Sequence, residues 1–280
     1  MRADLHLHTT ASDGRLTPRE LVQQAAKLNL DVIAVTDHDT VEGIPPALEA
    51  AKSFPQLMVI PGVEINTDVP KGEVHILGYF INYLDPKLRR NLEELRTSRY
   101  ERGKKMVAKL SEMGINVEWE RVMELAGGGS VGRPHIAQAM LERGYVSSLR
   151  EAFDNYIGRN GPAYIERKKL TPLDAVRLVV ESDGLPVLAH PADIDPLEPF
   201  LLQLKKAGIV GIEIYYNGYS TRTIAQLKSL AKKHALISSG GSDYHGLDTS
   251  IGADIGSIHL PQDSVQQLIS LAKQKGRAIP

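Results

Sequence analysis

The chain has 280 residues, 42% of them hydrophobic and 24% charged, with a formal net charge of −1. A nearly neutral balance argues against a general nucleic-acid coat or a membrane-surface protein, and no apolar run is long enough to span a bilayer. Cysteine is absent, which removes disulfides and thiolate–metal sites and leaves only nitrogen and oxygen as metal ligands.

Seven short runs rich in Val, Ile and Leu read as strands: residues 2–7, 32–35, 58–65, 74–80, 186–189, 210–216 and 236–239. The first follows the N-terminus directly, without the pattern of a signal peptide, and the expectation is a cytoplasmic protein. Helical patterns separate several of the strands. Thr17, Pro18 and Glu20 open one with a capping box, and Thr171, Pro172 and Asp174 open another in the same way. Asp195-Pro196 and Asp263 read as starts of later helices. Near-continuous apolar strands alternating with helices predict a parallel sheet covered on both faces, and seven such units predict a barrel. Residues 86–166 break the alternation with helical patterns and no strand. They read as a helical insertion between a first barrel part, 1–85, and a second, 167–280. Gly127 to Gly129 reads as a flexible joint within it. From residue 96 to 169 there are fourteen Lys or Arg against nine Asp or Glu. That surplus fits solvated helix faces or a substrate cap offering positive charge to an anion.

Chemistry concentrates in the histidines. Six of the nine fall in short clusters: His6 and His8 in Asp4-Leu5-His6-Leu7-His8, His38 between Asp37 and Asp39, His75, His190, and His245 two residues after Asp243. Asp13, Glu64 and Asp243 stand beside members of the set. Imidazole with carboxylate suits divalent transition metals such as Mn, Fe or Zn. His6 and His8 share one face of a strand. Glu64 closes the third predicted strand, His75 lies in the fourth, and the others follow strand ends. In a closed α/β barrel those ends share one rim, so the side chains would converge on a single metal site.

Residues 4–14, 36–39, 62–64, 75, 189–191 and 241–245, in this order, resemble the PHP (polymerase and histidinol phosphatase) superfamily. The resemblance implies an α/β fold, a distorted (β/α)7 barrel with three divalent ions, manganese ahead of zinc or iron. It implies a first ion on His6, His8, Glu64 and Asp243, a second on Glu64, His75 and His190, and a third on Asp13, His38 and His245. Asp37 and Asp39 would orient ligands or substrate. Ser130, Arg133 and His135 resemble the small bacterial PHP phosphoesterases that act on nucleotides. These include 3′,5′-nucleoside bisphosphate phosphatases and exoribonucleases that trim short RNA from its 5′ end.

The implied reaction is in-line attack on a terminal phosphate by a metal-bridging hydroxide, with His190, Asp243 and His135 as catalytic residues. Asp13, Arg99, Arg102, Ser130, Arg133 and His135 would contact substrate. Arg133 also fits an ordinary helix-start arginine, and His135 a surface histidine. Arg159 and Lys168 are further candidates for phosphate. Glu213, Tyr216 and Asn217 would line the pocket mouth. The expected partner is a small phosphorylated substrate, a nucleotide or a short RNA, with no membrane and no sequence-specific nucleic-acid binding. Histidinol-phosphate hydrolysis and a non-catalytic metal-binding scaffold are the alternatives. His234 would cap a helix C-terminus, and His259 would sit in a late strand.

Overall fold

The computed structural model describes residues 1–69, 72–166, 170–246 and 253–280. The elements follow in order: β1 (Ala3–Leu7), α1 (Pro18–Lys27), β2 (Val32–Val35), α2 (Ile44–Ala51), β3 (Met58–Val69), β4 (Gly72–Tyr79), α3 (Pro86–Glu112), α4 (Trp119–Leu125), α5 (Arg133–Glu142) and α6 (Leu149–Ala152). After them come α7 (Pro172–Glu181), β5 (Leu185–Leu188), α8 (Leu197–Ala207), β6 (Gly211–Tyr216), α9 (Thr221–Lys233), β7 (Ile237–Gly241) and α10 (Gln262–Gln274). The seven strands pair in sequence order. Just past β7, the His8 N–H donates to the Tyr244 carbonyl at 3.0 Å, which nearly closes the sheet into a barrel.

The sheet is mixed, which corrects the expectation of a parallel one. β4 runs antiparallel to both β3 and β5, while the other pairs are parallel. Alternating hydrophobicity reports burial and not strand direction, so the reversal left no mark in the pattern. It matters for function because an antiparallel strand brings its beginning to the rim where its neighbours end. His75, near the start of β4, reaches that rim for this reason. Likewise Glu64 does not close β3. The strand runs on to Val69 in a hairpin with β4, and Asn66 pairs with His75 across it.

Inside the barrel, Val32, Ala34, Ile60, Leu77, Tyr79 and Val187 share an apolar cluster with Val265 and Leu268 of α10. The Tyr79 hydroxyl crosses from β4 to Ser239 of β7 at 3.0 Å. A second cluster outside the sheet joins Val63, Ile65, Val74 and Ile76 to Leu88, Leu92 and Leu95 of α3 and to α7, α8 and α9. Period-two burial on the strands therefore sends apolar side chains outward wherever the inward positions are polar. The capping box at Thr17 forms, and Thr171 caps α7 through the Asp174 N–H. His234 is the C-cap of α9, as expected, and its Nε2 lies 2.6 Å from Glu198. His259 is not in a strand.

Residues 86–166 are helical with no strand among those described. They carry their own core of Met106, Val107, Leu110, Val122, Ile136, Met140, Ala152 and Ile157. The 27-residue α3 belongs to both bodies, its first half packed on the barrel and its last turns in this separate core. The glycine joint is docked instead of free. A Cβ on Gly129 would lie 2.4 Å from the Thr10 carbonyl oxygen, and the Ser130 N–H donates to Ala11 at 3.0 Å. No helix among the described residues is long and apolar enough to cross a membrane.

Candidate metal centre

Glu64 is the centre of the rim. It is fully buried, and five histidines surround its carboxylate. Oε2 lies 3.1 Å from His6 Nε2, 3.2 Å from His8 Nε2 and 3.0 Å from His38 Nδ1. Oε1 lies 2.8 Å from His75 Nδ1 and 3.2 Å from His190 Nε2. Asp243 Oδ1 approaches His8 Nε2 at 3.1 Å and His6 Nε2 at 3.3 Å. Asp13 Oδ1 lies 3.3 Å from His245 Nε2. All nine side chains singled out in the sequence thus meet at one end of the barrel.

Three groups among the described residues can each hold an ion: His6, His8, Glu64 and Asp243; His8, Asp13, His38 and His245; and His38, Glu64 and His75. The first matches the set that the family resemblance implies. The other two differ in detail, since His8 joins Asp13 and His38 joins Glu64. His190 stays out of these groups, although its Nε2 is 3.1 Å from His75 Nδ1.

A cation fits this arrangement. His6 Nε2, His8 Nδ1 and Nε2, Asp13 Oδ1, His38 Nδ1, Glu64 Oε2 and Asp243 Oδ1 are buried without a hydrogen-bond partner, despite lying so close together. In each of the three groups the donor atoms lie within 4.8 Å of one another. Each such atom costs about 1–3 kcal/mol when left unsatisfied, so seven together rival a domain's net stability of roughly 5–15 kcal/mol. Burial alone would raise Glu64, Asp13 and Asp243, but the surrounding imidazoles hold all three well below the usual carboxylate range. Burial would likewise lower His245, yet Asp13 and Asp243 push it up to about 10. In His38 burial wins, and its pKa falls to about 4.

Backbone strain is also present here. Asp39, His190 and Asp243 are non-glycine residues at φ of 53°, 25° and 54°, each costing about 1–3 kcal/mol that surrounding contacts must hold. Gly241 is required by crowding, since a Cβ there would meet the His6 Cβ at 2.5 Å.

A layer of acids lies behind the cluster. Asp37 accepts from the Thr9 N–H, the Thr9 hydroxyl and the Ser12 hydroxyl, fixing the loop that carries Asp13. Asp39 accepts from the Asn66 N–H and from Arg99 Nε at 2.7 Å. Both therefore orient other groups, as expected. Asp4 receives the Ser242 and Gly256 N–H groups, and burial raises its pKa. Glu213 does not line the mouth. It is fully buried beside His6, with Oε1 3.0 Å from Nδ1, and Oε2 accepts the His190 N–H at 2.8 Å. Tyr216 donates to Asp243 Oδ2 at 2.8 Å, and Asn217 is exposed. Sequence reasoning missed Asp4 and Asn66 and misplaced Glu213. The usable signal was a lone acid on an otherwise apolar strand, which stays buried only if partnered.

The cluster opens into a cavity of about 250 Å³ lined by Asp13, His38, Glu73, His75 and His245 from the barrel and by Arg99, Arg102 and Arg133 from α3 and α5. Arg99 and Arg102, on one face of α3, are both buried. Arg99 also bonds Asn66 Oδ1. Arg133 is the first residue of α5, but it faces the cavity, 2.8 Å from Glu73 and beside the Phe153 ring. His135 is buried, not superficial, and its Nδ1 accepts the Gly132 N–H at 3.0 Å. The Ser130 hydroxyl is buried without a partner. Arg159 instead bonds the Val69 carbonyl, and Lys168 lies outside the described residues.

A model of the PHP domain matches residues 4–166. The chain belongs to the PHP family. This PHP protein is 37% identical over 247 residues to the 5′-3′ exoribonuclease Rnm of Salmonella typhimurium, covering 86% of the chain and 84% of that relative. It is 32% identical over 260 residues to the 3′,5′-nucleoside bisphosphate phosphatase of Chromobacterium violaceum, covering 90% of each. Its fold matches a solved candidate metal-dependent phosphoesterase from Bifidobacterium adolescentis with a TM-score of 0.88 and 29% identity, covering 96% and 95% of the two chains. The PHP protein is a metal-dependent phosphoesterase, a hydrolase of phosphate esters.

Proposed function

We propose that the enzyme removes phosphate from nucleotides, 3′,5′-nucleoside bisphosphates, nucleoside monophosphates or the 5′ ends of short RNA. The observation that carries this reading is the cavity itself, lined by imidazoles and acids of the barrel and by three guanidiniums of α3 and α5. The two relatives named above, one a bisphosphate phosphatase and one an exoribonuclease, support the substrate class. In this reading His6, His8, Asp13, His38, Glu64, His75, His190, Asp243 and His245 hold three divalent ions, manganese ahead of zinc or iron. Such ions, when bound, neutralise phosphoryl oxygens and lower the pKa of a water nucleophile. A cytoplasmic location goes with nucleotide and RNA substrates.

The side chains do the rest. Arg133 and Arg102 grip a phosphate through the paired N–H geometry of guanidinium. Arg99, held by Asp39, supplies fixed positive charge. Ser130 donates its unpartnered hydroxyl to the same group. Burial lowers the His135 pKa, so the ring is neutral near pH 7. Because Nδ1 accepts from Gly132, the proton sits on Nε2. His135 therefore hydrogen-bonds substrate and does not act as an imidazolium acid. Asp13, beside Gly132 and His245, joins the cluster to this phosphate wall, and His190 and Asp243 hold the reacting side of the cluster.

The deciding experiment compares phosphate release from a 3′,5′-bisphosphonucleoside and from histidinol phosphate, with Mn2+ present. The expected result is higher kcat/KM for the nucleotide. Preference for the cationic histidinol ester would overturn the substrate assignment, and metal uptake without any turnover would favour the scaffold reading.

A further inference from the structure

Among the seven strands, β6 contributes no candidate ligand, yet it touches three of them. Glu213 and Tyr216 lie three apart, and on a regular strand such side chains face opposite ways. Here both face the cluster. The pairing of β6 with β7 slips between them: Glu213 matches Ser239 and Tyr215 matches Gly240, two steps on one strand against one on the other. A bulge of this kind re-aims the side chains beyond it. Ile212 and Ile214 go to the outer core, while Glu213 meets His6 and His190 and Tyr216 meets Asp243.

These contacts decide which atoms remain available. Glu213 Oε1 engages His6 at Nδ1, which leaves Nε2 pointing into the cluster, 3.1 Å from Glu64. Glu213 Oε2 holds the main-chain N–H of His190, a residue at a φ of 25° that needs such restraint. Tyr216 takes Asp243 Oδ2 and leaves Oδ1, which has no hydrogen-bond partner. One strand thus sets the direction of two side-chain lone pairs and the backbone of a third residue.

We propose that the β6 bulge is a positioning device for a divalent cation, with Glu213 and Tyr216 as positioning residues for His6, His190 and Asp243. This rests on the metal-binding reading of the cluster. A buried hydrogen-bonded pair serving stability alone would make a different prediction: its loss would lower the melting temperature of the metal-free chain and leave cation affinity unchanged.

The test uses the full chain stripped with chelator, titrated calorimetrically with Mn2+ alone, and melted in parallel without metal. Tyr216→Phe removes one hydroxyl and keeps the ring. Glu213→Gln keeps the volume but replaces one of the two accepting oxygens with an amide NH2, which can only donate. Each variant is expected to bind Mn2+ roughly 10–100-fold more weakly, the range for contacts that orient ligands, and the metal-free melting temperature of Tyr216→Phe is expected to match the parent. A Tyr216→Phe variant with parental Mn2+ affinity overturns the device even if Glu213→Gln does not fold. If the parent itself takes up no Mn2+, the metal reading of the cluster falls together with this inference.

Discussion

The two walls of the cavity are built by opposite rules. On the barrel wall, side chains from six strands or their ends are crowded within hydrogen-bond distance yet leave buried atoms unpaired. On the insertion wall the arginines come already partnered, Arg99 with Asp39 and Arg133 with Glu73. The barrel wall is therefore unfinished without a cation. The guanidiniums of the insertion wall draw their counter-charges from acids of the barrel, Asp39 and Glu73, and in the proposed function a substrate anion competes with those acids. In the proposed function, chemistry belongs to the barrel side, where Asp39, His190 and Asp243 sit at positive φ, and selection to the side that rests on a separate helical core.

The largest effect should come from breaking the barrel wall. Asp243→Ala is expected to abolish phosphate release almost completely, well beyond the roughly 10–100-fold typical of outer contacts, and to lower the metal content measured by elemental analysis. An active, metal-replete variant would sink the scheme. Arg133→Met attacks the other wall. Losing a charge-assisted hydrogen bond, worth about 1.5–3 kcal/mol, should raise KM for a bisphosphonucleoside by roughly 10–100-fold while metal content stays at the parental level. Loss of metal in that variant would erase the distinction between the walls.

A pH series separates them next. In the metal-free chain burial would lower His6, His8, His190 and His245, but Asp13, Glu64 and Asp243 outweigh it and raise all four, His245 to about 10. His245, pushed up to about 10, carries a proton at pH 7 that a cation must displace, and the upward shift of the other three works in the same direction. Mn2+ affinity should therefore rise with pH, about tenfold per unit for each proton released, with the His245 contribution levelling off above its own pKa. Calorimetry in buffers of different ionisation heat counts those protons; an affinity independent of pH would contradict the assignment. The smallest change expected is at the seam. Gly129→Ala forces a Cβ against the Thr10 carbonyl, and overpacking of about 1 kcal/mol should raise KM a few-fold without altering metal stoichiometry. Unchanged KM would mean that the docking of the insertion does not shape the phosphate wall.

The nine cluster residues were legible because they are polar side chains that chemistry groups by type, and because strand ends in a barrel share a rim. Arg99, Arg102, Ser130, Arg133 and His135 were legible as residues but not as a wall, since helix periodicity places Arg99 beside Arg102 and says nothing of Glu73 or Asp39 opposite them. Glu213 was misread as a mouth residue. Its neighbours in sequence are apolar whichever way the strand is turned, and the bulge that aims Tyr216 leaves no compositional trace.

The sequence by itself determined the strands and helices, the barrel and the set of groups able to bind a metal, because hydrophobic period and donor chemistry are properties of residues near one another in the chain. Tertiary structure alone decided the reversal of β4, the partition of histidines among the three groups, the internal partners of the arginines and the orienting role of β6. Those depend on which atoms of distant residues share a few ångströms, and burial decides there whether a lone pair meets a proton, a carboxylate or a cation.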